Sequence, residues 1–187
     1  SKSKSVIMKI LKVIANLYIN IIRGTPMLVQ ILIIYFGLGQ MLRPTGFRWL
    51  NIGGTFTAGT VALSLNAGAY MAEIVRAGIE AVDKGQIEAA RSLGLSYGKT
   101  MKKIVLPQAL RTMLPSIINQ FIISIKDTSL LSVIGLAELT NVGKTIAATQ
   151  SAHMMVIYCF MACYYLFICT LLAQVSKVVE KRLSYGE

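Results

Sequence analysis

The 187-residue chain is short of charge. Asp, Glu, Lys and Arg together make up 14% of it, against about 25% in an ordinary soluble domain. A solvated surface of normal size needs more, so the composition argues against a soluble globular enzyme and against a disordered protein. Acidic residues are scarcest, 8 against 19 Lys and Arg, for a net charge of +11. There is one histidine, His153, and it stands at the edge of the last apolar run, where an interfacial side chain is expected. There are three cysteines, Cys159, Cys163 and Cys169, all inside that run. An odd number of thiols in an apolar segment excludes a disulfide framework and gives no zinc spacing, so no metal site is expected. No Ser/His/Asp set, HExxH helix or paired-carboxylate cluster is present, so no catalytic residue is expected.

What the chain has is apolar surface: 55% hydrophobic residues and a mean hydropathy of +0.62. The apolar residues are grouped, with the charges clustered at the ends of the groups. That favours an all-α, polytopic membrane bundle. Residues 1–20 read as a basic amphipathic helix lying on the cytoplasmic surface or leading into a span, and Gly24-Thr25-Pro26 interrupts it. Spans are expected over 27–42, 54–72 (continuing as a helix past Glu73 and Arg76), 112–125 and 152–176. The third is short, and Lys126-Asp127 interrupts it before an apolar pattern resumes over 128–137. Four spans put both ends on one side. With the ends and the 80–111 loop in the cytosol, only Arg43, Arg48, Lys126 and Lys144 stay outside or at membrane depth, and the other 15 of the 19 basic residues lie inside. That asymmetry fixes the expected orientation. It also explains the basic charge without nucleic acid, since a DNA-binding face does not require long uncharged segments.

The 80–111 loop holds a decoy and a signal. Gly94-Leu95-Ser96-Tyr97-Gly98-Lys99-Thr100 looks like a nucleotide P-loop but has three residues between its glycines where the phosphate cradle needs four, and no strand precedes it. ATP binding by this chain is rejected. The signal is Glu88-Ala89-Ala90, three residues, Gly94, nine residues, then Ile104-Val105-Leu106-Pro107. Ala89, Ala90 and Leu93 would form a small apolar face on a short helix. Gly94 can turn the chain through a left-handed conformation, a second helix follows over 97–105, and Pro107 can begin the third span. Spacing alone leaves open whether this is a docking helix or an ordinary hairpin between spans.

The stretch GQIEAARSLGLSYGKTMKKIVLP, residues 85–107, resembles the EAA loop of ABC importer permeases at every one of those positions. Arg23-Gly24-Thr25-Pro26 with Leu28-Val29-Gln30, the run from Ala69 to Ile79, and Lys126-Asp127-Thr128-Ser129-Leu130 are similar to the polar-amino-acid permeases. The resemblance covers nearly the whole chain. It implies a single transmembrane domain over 1–187 with a short cytoplasmic coupling helix in the 80–111 loop. It also implies one more transmembrane helix upstream of residue 1, so an N-terminally truncated fragment is expected, and some relatives carry a fused binding domain there.

For function, the resemblance implies a permease subunit of an ATP-driven importer in a bacterial cytoplasmic membrane. Its partners would be two ABC ATPase subunits, a second permease subunit (identical or different), an extracytoplasmic amino-acid-binding protein and membrane lipid. ATP and magnesium would be held by the ATPase subunits, and no cofactor by this chain. The coupling contacts carry over to Glu88, Ala89, Ala90, Arg91, Ser92, Leu93 and Gly94. The rival reading, an ATP-independent channel or secondary transporter, often shows an inverted repeat, and none is visible. For the substrate, polar groups at membrane depth are the candidates because they are costly there: Asn66, Asn119, Gln120, Asp127 and Thr128, with Ser129 beside them. Asp127 would meet the ammonium of an amino acid, and the amides and hydroxyls its carboxylate or side chain. Asn66 and Asn119 also suit plain helix-joining hydrogen bonds, and Lys126-Asp127 a structural pair. Arginine-transporting relatives tend to carry an acid in this pocket. Gln120 stands where that acid would be sought, which favours a neutral polar substrate such as glutamine. Glu73, Arg76 and Glu80 read as helix-stabilising pairs. Gly54, Ala58 and Ala62 suit close helix packing, within one subunit or at a dimer interface.

Overall fold

The structure, a computed structural model, describes residues 2–184, with side chains over 6–181. The charges expected on Lys2, Lys4 and Arg182 belong to side chains outside that range. Nine α-helices, with short 3-10 and π-wound segments between them, make up the described residues, and no strand occurs among them. They are α1 Lys2–Arg23, α2 Met27–Leu32, α3 Gly39–Met41, α4 Gly54–Glu80, α5 Lys84–Ser92, α6 Tyr97–Thr100, α7 Leu106–Asp127, α8 Leu139–Thr149 and α9 Met154–Ser184. The all-α class is as the sequence implies. The π-wound Ile33–Leu38 joins α2 to α3, and a second π-wound segment, Met101–Val105, joins α6 to α7.

Two segments among the described residues are long and apolar enough to cross a bilayer, Tyr97–Ile134 and Ser151–Lys181. A third qualifies if Val6–Arg23 and Met27–Met41, bent by 110° at Gly24-Thr25-Pro26, form one broken span. The second expected span falls on α4. At 27 residues and 1.5 Å per residue it is about 40 Å long, enough to cross. Its Gly, Ala, Thr and Asn content keeps it less apolar than the other two.

The chain divides into two compact units, Ser1–Tyr70 with Ile123–Phe167, and Met71–Ile122 with Ile168–Glu187. In the first, Ile31, Ile34, Ala62, Leu131 and Ile134 form the buried core. Ala58 and Ala62 are both 1% exposed, so the small-residue stripe of α4 packs inside this chain. A Cβ on Gly59 would come within 2.8 Å of Leu131 Cδ1, so that face of α4 has no room for a larger residue. In the second unit, Val82, Val105, Ala109 and Met113 are buried together, with Ile79, Ile87 and Met101 packed on them.

The helix α8 was not expected from the sequence, which gives no element between the apolar pattern over 128–137 and the last span from 152. The Glu138 carboxylate starts it, accepting from the Thr140 N–H at 2.8 Å and the Asn141 N–H at 2.6 Å, the N-cap arrangement that satisfies otherwise unpaired helix donors. Near the start of α9, Cys159 and Cys163 are exposed, while Cys169 is half-buried, and all three are free thiols.

Candidate functional site

The loop between α4 and α7 contains the short helix α5, Lys84–Ser92, over the residues of the EAA spacing. Asp83 caps α5, its carboxylate accepting from the Gly85 N–H. At the other end Gly94 takes φ +83, the left-handed value at which glycine avoids the Cβ clash. The turn is closed by Gly94 N–H to the Arg91 carbonyl and Leu95 N–H to the Ala90 carbonyl, at 3.0 and 3.2 Å. Arg91 Nη1 also donates to the Leu95 carbonyl at 3.1 Å. The helix is therefore fixed at both ends.

Its faces are unequal. Ile87 packs on the core of the second unit and Ala90 is 3% exposed. Gln108 Nε2 donates to Gln86 Oε1 at 2.6 Å, fastening α5 to α7. Glu88, Ala89, Arg91, Ser92 and Gly94 face outward, and Leu93 is 84% exposed. The sequence groups Ala89, Ala90 and Leu93 on one apolar face. The structure separates them, because Ala90 is a half-turn away from the exposed side and serves the chain's own packing.

The expected substrate residues are divided between the two units, Asn66, Asp127 and Thr128 in the first and Asn119 and Gln120 in the second. In the first unit, Asn66 Nδ2 donates to Gln30 Oε1 at 2.9 Å, and both side chains are buried. Gln30 Nε2 in turn donates to the carbonyl of Ile22 at 2.7 Å, and to the carbonyl and hydroxyl of Thr25 at 3.0 and 2.9 Å. The reason is local: Pro26 has no N–H to offer the Ile22 carbonyl four residues back, and the Gln30 amide supplies the missing donor. Asn66 thus anchors α4 to the break after α1. The sequence shows Gln30 only as part of a motif; Pro four residues before a Gln in an apolar run is the signal that would have marked it.

Asp127 ends α7 and is partly exposed, and among the described residues no salt bridge joins it to Lys126. The Thr128 hydroxyl donates to the Ile125 carbonyl and the Ser129 hydroxyl to the Lys126 carbonyl, both at 2.6 Å. Their protons are committed to closing the helix end, so they can offer a ligand only acceptor lone pairs. In the second unit Gln120 is 4% exposed and makes no side-chain hydrogen bond among the described residues. Asn119 lines a cavity of about 370 Å³ with Pro115, Ser116, Ala173, Ser176, Lys177 and Glu180. Of the expected set, Asn119 alone faces this space. The other polar walls, Ser116, Ser176, Lys177 and Glu180, are not among the substrate residues expected from the sequence.

Arg76 binds both neighbours expected of it. Its Nε donates to Glu73 Oε2 at 3.2 Å and its Nη1 to Glu80 Oε2 at 2.8 Å. These hydrogen bonds, Glu73 first, raise its already high proton affinity. No group of three or more His, Cys, Asp or Glu side chains among the described residues is placed to hold a metal.

Residues 5–185 match the family described as binding-protein-dependent transport system inner membrane component. The chain is 44% identical over 170 residues to the glutamine transport system permease protein GlnP of Escherichia coli, covering 91% of this chain and 74% of that one. It is 41% identical over 174 residues to the arginine transport system permease protein ArtQ of Bacillus subtilis, covering 93% and 76%. It is 42% identical over 173 residues to the L-cystine transport system permease protein TcyB of Bacillus subtilis, covering 92% and 70%. Among solved structures, an amino acid ABC transporter crystallised with histidines matches with a TM-score of 0.84 at 40% identity, over 93% of this chain and 77% of that one. An inward-facing MetNI methionine ABC transporter matches with a TM-score of 0.64 at 17% identity, over 95% and 78%, a likeness of fold alone.

Proposed function

Because the chain belongs to the binding-protein-dependent transport system inner membrane components, and its relatives are amino-acid permeases, we propose that it is the permease subunit of an ATP-driven amino-acid importer whose substrate is a neutral polar amino acid such as glutamine. The chain itself is a transporter component, with ATP hydrolysed by separate subunits. The observation that carries the coupling part of this reading is α5: capped at both ends, fastened to α7, and presenting Glu88, Ala89, Arg91, Ser92 and Leu93 outward. A helix fixed in this way transmits a displacement that a flexible loop would absorb. On this reading each of two permease subunits offers that face to an ABC ATPase subunit, and an extracytoplasmic binding protein delivers the amino acid to the opposite side. Ala90 contributes by holding α5 in place.

The glutamine preference rests on Gln120. A buried neutral amide can both donate and accept toward a carboxamide, whereas a guanidinium taken out of water needs a carboxylate partner. Relatives named for glutamine, arginine and cystine are all similar to this chain, so the preference has to be measured. The test of the importer reading is purification of the permease from its native membrane. A P-loop ATPase should co-purify, and uptake in vesicles should stop without ATP. Uptake that persists with no ATPase present would assign the chain to the channels or secondary transporters.

A further inference from the structure

The helix α1 has three unlike faces. One packs inward: Tyr18 and Ile22 are partly buried, the Tyr18 hydroxyl donates to the Leu65 carbonyl on α4, and the Arg23 guanidinium lies over the Tyr70 ring, 5.5 Å from its centre. A second is polar: Lys9, Lys12, Asn16, Asn20 and Arg23 share an arc of about 80° at 100° per residue. The third is apolar: Ile7, Ile10, Ile14, Leu17 and Ile21, alternately three and four residues apart, share another arc of about 80°, its centre roughly 140° from that of the polar one. All five are more than half exposed, and a continuous aliphatic row of this length marks a surface that something covers. Two observations say what. The bend at Gly24-Thr25-Pro26 turns α1 by 110° from the segment Met27–Met41. If that segment crosses the bilayer, α1 runs nearly along the membrane plane and does not extend the span. The second observation is charge. The sequence of α1 contains basic residues and no acidic one, so a second copy of the helix would only add positive charge, whereas anionic headgroups would neutralise it.

We propose that α1 lies in the plane of the cytoplasmic leaflet and binds anionic phospholipid, with Ile7, Ile10, Ile14, Leu17 and Ile21 among the upper acyl carbons and Lys9 and Lys12 reaching the headgroup phosphates. The positive-inside bias assigns this end of the chain to the cytosol. A strongly amphipathic helix with lysines on its polar face is the kind that settles at the boundary between headgroups and acyl chains, and long lysine stems let the ammonium reach the phosphates while the helix stays in the apolar layer. The Gln30 and Asn66 amides tie the bend to α4, so a seated α1 would set the angle at which the following segment enters the bilayer. The proposal does not depend on which solute is carried.

The test uses the complete transporter in vesicles of equal parts phosphatidylcholine and phosphatidylglycerol. In a background of Cys159→Ala, Cys163→Ala and Cys169→Ala, a nitroxide is placed on Ile7→Cys, Ile14→Cys, Asn16→Cys or Ile21→Cys, one at a time. Collision with oxygen, which concentrates in the membrane, and with a water-soluble nickel chelate is read by electron paramagnetic resonance. The labels at 7, 14 and 21 should favour oxygen to the same extent, and the label at 16 should favour nickel. A spanning α1 would set the labels at 7 and 21 about 21 Å apart in depth, and such a gradient overturns the proposal. Labels at 7, 14 and 21 shielded from both reagents would give the face to another protein segment, and labels open to nickel would give it to water; either result also overturns it. Lipid choice is read on the detergent-solubilised transporter, equilibrated with equal amounts of the two lipids and then extracted. The wild type should retain about threefold more phosphatidylglycerol than phosphatidylcholine, and Lys9→Gln with Lys12→Gln should at least halve that ratio. No preference in the wild type, or a ratio unchanged in the double variant, overturns the anionic part of the proposal. Neither readout involves uptake or ATP, so failure here leaves the importer reading standing.

Discussion

Gln30 gives its amide protons to the Ile22 carbonyl and to Thr25 while accepting one from Asn66. Three backbone and side-chain groups near a proline break depend on it. Replacing Asn66 by Leu would leave the buried Gln30 oxygen without its donor, a loss of about 1–3 kcal/mol. The expected outcome is a clear fall in the thermal unfolding temperature of the detergent-solubilised transporter. A stability equal to wild type, with glutamine affinity reduced instead, would return Asn66 to the substrate path. The opposite expectation holds for Gln120, which has no such partner among the described residues: Gln120→Glu should shift competition of labelled glutamine uptake in favour of arginine, since it supplies the carboxylate a guanidinium needs. In the wild type, excess arginine should compete weakly, and strong competition would contradict the neutral-substrate reading.

At the scale of elements, α5 and the Gly94 turn carry the account. No atom lies within 4 Å of a Cβ built on Gly94, so a side chain there meets open space and its cost comes from the backbone alone. A left-handed conformation costs a non-glycine residue roughly 1–2 kcal/mol. That is enough to release the turn and too little to unfold the chain. Gly94→Val is therefore expected to insert in the membrane at normal abundance while ATP hydrolysis continues with uptake reduced. Normal transport by this variant would count against the rigid-helix reading. The elements also show what the sequence could reveal. The break at Gly24-Thr25-Pro26, the run of α4 through Arg76 to Glu80, the end of α7 at Asp127 and the Gly94 turn were all legible, because glycine, proline and charge act on their immediate neighbours. The helix α8 was missed because its start is set by a glutamate reaching forward to two N–H groups.

For the whole molecule, the long apolar segments and the clustered basic charge announce a membrane protein from composition alone, and the matched family agrees. The pairing of Gln30 with Asn66, residues 36 apart in the chain, was not legible. Nor was the meeting of Ser116 and Asn119 on α7 with Lys177 and Glu180 on α9. Each depends on which helices become neighbours, which no local pattern encodes. The inward turn of Ala90 has the same origin, since periodicity marks it as apolar without saying which partner it meets.

The most direct measurement is the ratio of glutamine imported to ATP hydrolysed by the Leu93→Glu transporter in proteoliposomes. Leu93 is 84% exposed, so the substitution removes no internal packing and changes only the face that α5 presents. The account predicts a permease of normal stability whose uptake per ATP hydrolysed falls at least tenfold, because the ATPase subunit no longer seats on α5. Wild-type uptake per ATP in that variant would contradict it.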